Sequence, residues 1–261
     1  MDRVLEVMTE AARAAGEIGL KYFRRGVEVT LKADRSPVTQ ADREAEQVIV
    51  EILGLAFPEH GFLGEELGAR GAKDVRWIVD PIDGTRNFVR GIPIWAILIA
   101  LEERGEIVAG VIWNPLSGEL YTARRGQGAF LGGERLRVSE VSSLEKATLI
   151  HASLNLLRRG GHWDGFIRLV DATDRQRGFG DYLCYTVLAE GKAEIPVEAP
   201  DLKPWDLAPV KLLVEEAGGR FTDFSGASSI YSGTALASNG KLHDAALALL
   251  RTPSSYSITQ A

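Results

Sequence analysis

The chain has one cysteine in 261 residues, Cys184, so no disulfide can form within it and a reducing compartment is expected. It carries only two methionines and four histidines, and no two histidines stand at a metal-ligand spacing. Its longest apolar run, Ile92 to Leu101, contains Pro93 and is too short to cross a bilayer, which favours a buried strand. The N-terminus opens on a charged, helix-patterned stretch without the apolar block of a secretory signal, so a cytoplasmic location and no membrane partner are expected. No block of Lys and Arg is dense enough for a nucleic-acid footprint, and the formal net charge is −6. An anionic ligand would therefore need local attraction, which bound divalent cations in an acidic cleft would supply.

What is present is an ordinary globular composition, 45% hydrophobic and 25% charged, with enough length for one large domain or two sub-domains around a shared core. Residues 2–25 follow a helical stripe through Val4, Met8, Ala11, Ala12, Ala15, Ile18 and Tyr22, with Gly26 as the stop. Thr39 and Asp42 have the spacing of a capping box that opens a second helix, with Ala45, Val48, Ile49, Ile52 and Leu53 inside. Strands are expected at 75–79, 94–101, 107–113 and 119–123. The second half alternates: strands near 147–151, 194–198 and 234–238, and helices near 162–171, 181–190, 205–217 and 241–250. The expected organisation is an N-terminal sub-domain over 1–145, a C-terminal sub-domain over 146–252, and a polar tail over 253–261.

The segment Asp80-Pro81-Ile82-Asp83-Gly84-Thr85-Arg86-Asn87-Phe88 concentrates the chemistry. An apolar strand brings Asp80 to its C-terminal end, where α/β sites lie. Asp83 is expected in the turn beyond, and Gly84-Thr85 would open a short helix with free N–H groups for a phosphate. Two carboxylates this close repel unless a cation or proton lies between them. Asp-Pro and Asp-Gly also make plain turns. An EF-hand loop is excluded because Pro81 and Ile82 break its alternation of acids, and a covalent Asp-x-Asp phosphatase motif would need an acid at Pro81. Glu65, in Gly64-Glu65-Glu66, reads equally as a solvated turn, and Asp206 as a charge favoured by a helix N-terminus.

Taken together, Pro37-Val38-Thr39-Gln40-Ala41-Asp42, Gly64-Glu65-Glu66, the Asp80–Phe88 segment, Trp205-Asp206-Leu207-Ala208 and the Glu215 to Gly219 stretch resemble the inositol monophosphatase superfamily, in its order. The resemblance implies an α/β (α+β) layered sandwich of the fructose-bisphosphatase type, with alternating α-β-α-β-α layers, and a homodimer. It also implies a Mg²⁺-dependent phosphomonoesterase with two or three ions held by Glu65, Asp80, the Ile82 carbonyl, Asp83 and Asp206. In that scheme a metal-activated water attacks phosphorus directly, Glu65 and Thr85 orient and deprotonate it, Asp42 supports Thr85, and the Gly84 and Thr85 N–H groups hold the phosphate.

For the substrate, a small phosphate monoester, the run Arg177-Gly178-Phe179-Gly180-Asp181-Tyr182 and the stretch from Asn87 to Ala96 resemble the histidinol-phosphate phosphatase branch. Acids at Asp181 and Glu198 suit a ligand bearing an ammonium and an imidazole. Asp181 could instead be a helix N-cap, and Glu198 a solvated charge beside Pro196 and Pro200. The alternatives are an inositol monophosphatase, a broad sugar-phosphate phosphatase, or a binding protein that has lost catalysis.

Overall fold

The computed structural model describes residues 2–23, 29–31, 37–198 and 200–251. The helix stop expected at Gly26 and the tail expected over 253–261 lie outside them. Helix α1, Arg3–Tyr22, starts where Asp2 accepts the Val4 N–H. Beyond Met8, its buried stripe consists of the small residues Ala11, Ala12, Ala15, Gly16 and Gly19. A Cβ at Gly19 would stand 2.6 Å from the Trp95 ring, so these small residues let the helix lie close on the sheet. A short hairpin, β1 (Val29–Leu31) and β2 (Pro37–Thr39), leads into α2, Gln40–Ala56, and the Thr39/Asp42 capping box is formed as the spacing predicts.

An eight-stranded sheet follows: β3 (Gly61–Gly64), β4 (Gly68–Arg70), β5 (Val75–Asp83), β6 (Ala96–Glu103), β7 (Glu106–Asn114), β8 (Glu119–Arg124), β9 (Gly128–Leu131) and β10 (Glu134–Arg135). Its order is β10-β9-β8-β7-β6-β5-β3-β4, with a five-residue helix α3, Thr85–Val89, between β5 and β6. The pairs are antiparallel except β3 with β5, which run parallel, so the ends of these two strands open at the same edge. Both faces are buried. Trp77, Val79, Ile97 and Ile99 meet α1 and α2, whereas Ile78, Ala96, Leu98 and Ala100 face the opposite way, which is why β6 reads as an unbroken apolar run.

The second sheet, order β12-β11-β13-β15-β14, comprises β11 (Thr148–His151), β12 (Arg175–Gly178), β13 (Ile195–Glu198), β14 (Arg220–Thr222) and β15 (Ala235–Ser238). Helices α6 (Asp181–Ala189) and α7 (Pro204–Glu216) are sandwiched between the sheets, with Leu207, Ala208 and Val210 sharing one core with Ile78 and Leu98. Helices α4 (Leu154–Arg159), α5 (Trp163–Ala172) and α8 (His243–Arg251) cover the outer face, where Phe166, Leu169, Leu247 and Leu250 form a third core. The layers therefore alternate helix, sheet, helix, sheet, helix. Contact is tight at the middle interface: a Cβ on Gly110 of β7 would stand 3.2 Å from Pro209 of α7.

The strand ending in Asp80 is longer than the sequence pattern predicts. β5 runs on to Asp83, and its register with β6 slips by one residue: Asp80 opposes Leu98, and Asp83 opposes Ala96. Leu98 and Ala96 point to the same face, so this bulge turns two residues of odd spacing, normally on opposite faces, toward the same side.

Candidate active site

The bulge aims Asp80 and Asp83 at the N-terminus of α7, and Asp206 in its first turn completes the group. Oxygens of these three carboxylates lie within 4.8 Å of one another. Asp206 also accepts the Lys203 N–H at 2.7 Å, so the helix-terminal role expected for a charge there coexists with a place in the cluster. Glu65 stands outside this trio but lines the same cavity. It follows β3, and its N–H donates to the Val79 carbonyl at 3.2 Å, so the parallel ends of β3 and β5 set it beside Asp80.

The cavity measures about 630 Å³, in the range for small-molecule sites. Glu65, Asp80, Ile82, Asp83, Gly84, Thr85, Asp181, Glu198 and Asp206 all line it. Asp42 lies behind this wall. It accepts the Thr39 N–H at 2.8 Å and the Thr39 hydroxyl at 2.6 Å, and its other oxygen is 3.5 Å from the Thr85 hydroxyl. That hydroxyl is also 3.1 Å from the Ile82 carbonyl. Gly84, at φ +84°, takes the left-handed turn from the strand into α3, and a Cβ there would press 2.9 Å from the Ile94 carbonyl.

Electrostatics sets this group apart from a structural ion-pair network. Burial, then repulsion by Glu65, Asp83 and Asp206, raises Asp80 well above the ordinary carboxylate range. Asp83 is raised likewise by burial and by Asp181 and Asp206, against the lowering effect of the Tyr182 N–H. Burial pushes Asp206 up to about 7, although the Lys203 N–H opposes the shift. Buried acids that repel one another in this way call for a cation or protons. A cage of hard carboxylate oxygens with a backbone carbonyl at its edge fits Mg²⁺.

Asp181 and Glu198 form a second acidic wall. The Asp181 N–H donates to Glu198 Oε1 at 2.9 Å, and the Tyr185 hydroxyl donates to Glu198 Oε2 at 2.9 Å. Glu198 is buried, which excludes the solvated charge beside Pro196 and Pro200. Its pKa rises to about 8 through burial and repulsion by Asp181. Asp181 does not cap α6: Gly180 holds the cap position without a side-chain bond, and Asp181 Oδ2 accepts from Asn87 Nδ2 at 3.0 Å. Burial raises Asp181 to about 6, with Arg86 and Asn87 acting in the opposite direction.

Several wall residues escaped the sequence reading. Asn87 is within the recognised segment, but its bond to Asp181 spans 94 positions and leaves no local signature. Phe179, 55% exposed at the rim with φ +103°, and Asp201, with φ +84°, depart from ordinary backbone geometry. Arg159, Asn155 and Leu156 reach the cavity from α4, a helix that the periodicity of the second half did not predict.

The sheet edge delivers carboxylates into a cleft beside a Gly-Thr turn, a setting that suits an anionic ligand held through cations. The chain belongs to the inositol monophosphatase family, whose model matches residues 1–254, and it is a phosphatase. It is 41% identical over 257 residues to a histidinol-phosphatase of Streptomyces coelicolor, covering 95% of this chain and 96% of that protein. It is 40% identical over 259 residues to an inositol-1-monophosphatase of Mesorhizobium japonicum, covering 96% and 97%. Among solved structures, the extragenic suppressor protein SuhB of Bartonella henselae superposes with a TM-score of 0.90 at 37% identity, covering 96% of this chain and 99% of that one. No helix among the described residues is long and apolar enough to cross a membrane.

Proposed function

We propose that this phosphatase is Mg²⁺-dependent and acts on histidinol phosphate. The observation that carries the substrate assignment is the second acidic wall, Asp181 with Glu198 beneath it, facing the same cavity as the Asp80, Asp83 and Asp206 trio. Identities of 41% and 40% to relatives with different named substrates do not choose between them, so the choice falls to the wall. Both Glu198 oxygens already accept bonds from within the chain, so Glu198 acts as the support that fixes the Asp181 backbone. Asp181 is then the residue that meets the ligand's cationic end, pairing its carboxylate with an opposite charge that a neutral polyol does not carry.

In this reading Glu65, Asp80, the Ile82 carbonyl, Asp83 and Asp206 hold the ions. Bound Mg²⁺ supplies Lewis acidity and charge neutralisation for the phosphoryl group and for water. The chain's own part is positional and acid–base. Glu65 and Thr85 orient the water that attacks phosphorus in line with the leaving oxygen, and the Glu65 carboxylate accepts its proton as the bond from phosphorus to the leaving oxygen breaks. Asp42, fixed by Thr39, keeps the Thr85 hydroxyl directed into the site. The N–H groups of Gly84 and Thr85 receive the phosphate oxygens as charge develops.

The test compares phosphate release from histidinol phosphate and inositol-1-phosphate, with Mg²⁺, as kcat/KM. A preference of about 100-fold for histidinol phosphate, worth about 2.7 kcal/mol, is expected. Equal or reversed rates would return the enzyme to the inositol or broad sugar-phosphate class. A Glu65→Gln variant that hydrolysed every ester at the wild-type rate would remove the assigned role of Glu65.

A further inference from the structure

Glu46 lies on α2 one helical turn beyond Asp42, and only 1% of it is exposed. A buried carboxylate is costly unless hydrogen bonds compensate it, and a helix needing only bulk here would be served by leucine or methionine. Its bonds are specific. Oε2 accepts the Glu66 N–H at 2.7 Å, and Oε1 accepts the Leu67 N–H at 3.0 Å. Those amides belong to the turn that begins with Glu65, whose own N–H is held by Val79. Three consecutive backbone donors are thus anchored, one to the sheet and two to a single side chain.

The fit is close from the other side as well. A Cβ at Gly64 would stand 1.8 Å from Glu46 Oε1 and 2.6 Å from its carboxyl carbon, so the carboxylate occupies the space a side chain at 64 would need. Asp42 on the same helix reaches Thr85. One helix therefore braces both the turn that carries Glu65 and the turn that carries Thr85.

We infer that Glu46 is a positioning residue for the ion site: by fixing the 65–67 turn it pre-sets Glu65 against Asp80, and so governs the affinity for Mg²⁺. The inference rests on Glu65 being an ion ligand, as proposed above. Glu46→Gln keeps the shape but turns an amide toward a backbone N–H, so one of the two anchors is lost. Partners behind metal ligands typically control affinity by about 10–100-fold.

The experiment is a calorimetric titration of the full chain with Mg²⁺, alongside the Mg²⁺ dependence of phosphate release. Expected for Glu46→Gln is a Mg²⁺ dissociation constant raised about 10–100-fold. At saturating Mg²⁺, KM for the ester should stay within about 3-fold of wild type, because the ester itself has lost no contact. Glu46→Asp, which keeps the charge but shortens the reach, should weaken Mg²⁺ binding to an intermediate degree, and it carries the comparison if the Gln variant does not fold. Gly64→Ala should give the same pattern, and the double variant should add little to either single change. A folded Glu46→Gln or Glu46→Asp chain that loses thermal stability yet binds Mg²⁺ as wild type does would overturn the inference and leave Glu46 a purely structural residue. If the wild-type chain bound no Mg²⁺ and hydrolysed esters without it, the metal assignment would fall first, and Glu46's role with it.

Discussion

Asp83 Oδ2 accepts the backbone N–H of Tyr182 across 2.7 Å, and this one bond joins the bulge of the eight-stranded sheet to the first turn of α6. It couples the acidic trio to the wall that carries Asp181. Two substitutions separate charge from anchor. Asp83→Asn retains an oxygen that can accept this N–H but removes the charge, so a folded chain with phosphatase activity reduced at least 100-fold is expected. Asp83→Ala also leaves the buried Tyr182 N–H without its partner, at about 1–3 kcal/mol. Thermal denaturation in chelator should therefore rank Ala below Asn. Equal melting points would mean that the bond contributes nothing to joining the halves.

Ion removal should be visible in stability as a function of pH. Folding raises Asp206 to about 7 and Glu198 to about 8. Unfolded carboxylates titrate near pH 4. Between those limits the native chain holds protons that the unfolded chain has released, so the contribution of these groups is fully present below about pH 4 and declines as pH rises through the folded values. In chelator, Tm should fall from pH 5 to pH 8, and more steeply for wild type than for Asp206→Asn. Mg²⁺ should flatten the wild-type profile, adding about 2.7 kcal/mol when free Mg²⁺ is 100 times its dissociation constant. Identical profiles with and without Mg²⁺ would argue against the trio as an ion site.

The contrast between Asp80 and Asp83 shows how far the sequence could be read. Apolar periodicity delivered Asp80 to the right strand, and the Thr39/Asp42 spacing fixed the start of α2, because both signals are local. Gly191 and Gly218 likewise mark helix ends at positive φ, as their positions beyond 181–190 and 205–217 suggest. The bulge that turns Asp83 toward Asp80 depends on pairing with β6, which strand periodicity alone does not contain. Asp181 illustrates the same limit. A carboxylate at a helix start reads as a cap, but its partner Asn87 arrives from another layer of the fold. Glu46 stands four residues after Asp42, a visible helical spacing, but nothing local indicates that the Glu65 turn packs against it.

Discrimination between substrates should reside in Asp181. Asp181→Asn keeps a hydrogen-bonding side chain beside Asn87 while removing the charge proposed to meet a cationic ligand. Charge-assisted bonds contribute about 1.5–3 kcal/mol, so the ratio of kcat/KM for histidinol phosphate over inositol-1-phosphate should fall about 10–100-fold. The change should come mainly from histidinol phosphate. If both esters lose equally, Asp181 serves the architecture of the wall and not the choice of ligand.

At Phe179 backbone and side chain make opposite demands. A phenylalanine at φ +103° is unfavourable, and such conformations cost about 1–3 kcal/mol. The ring gains little from burial in return, since 55% of the residue is exposed at the cavity rim. Gly180 beside it is packed closely, since a Cβ there would lie 2.3 Å from Ala152 Cβ and 2.4 Å from Glu198 Oε1. A glycine at 179 adopts positive φ without penalty, at the cost of greater freedom in the unfolded chain. Phe179→Gly should therefore melt no lower than wild type. If the ring is held at the rim to stack on a planar ligand, KM for histidinol phosphate should rise several-fold, as expected from an aromatic contact of about 0.5–1.5 kcal/mol. KM for inositol-1-phosphate, which presents no flat ring, should change far less. A variant with lower Tm and both KM values unchanged would assign the Phe179 ring to packing and take it out of ligand recognition.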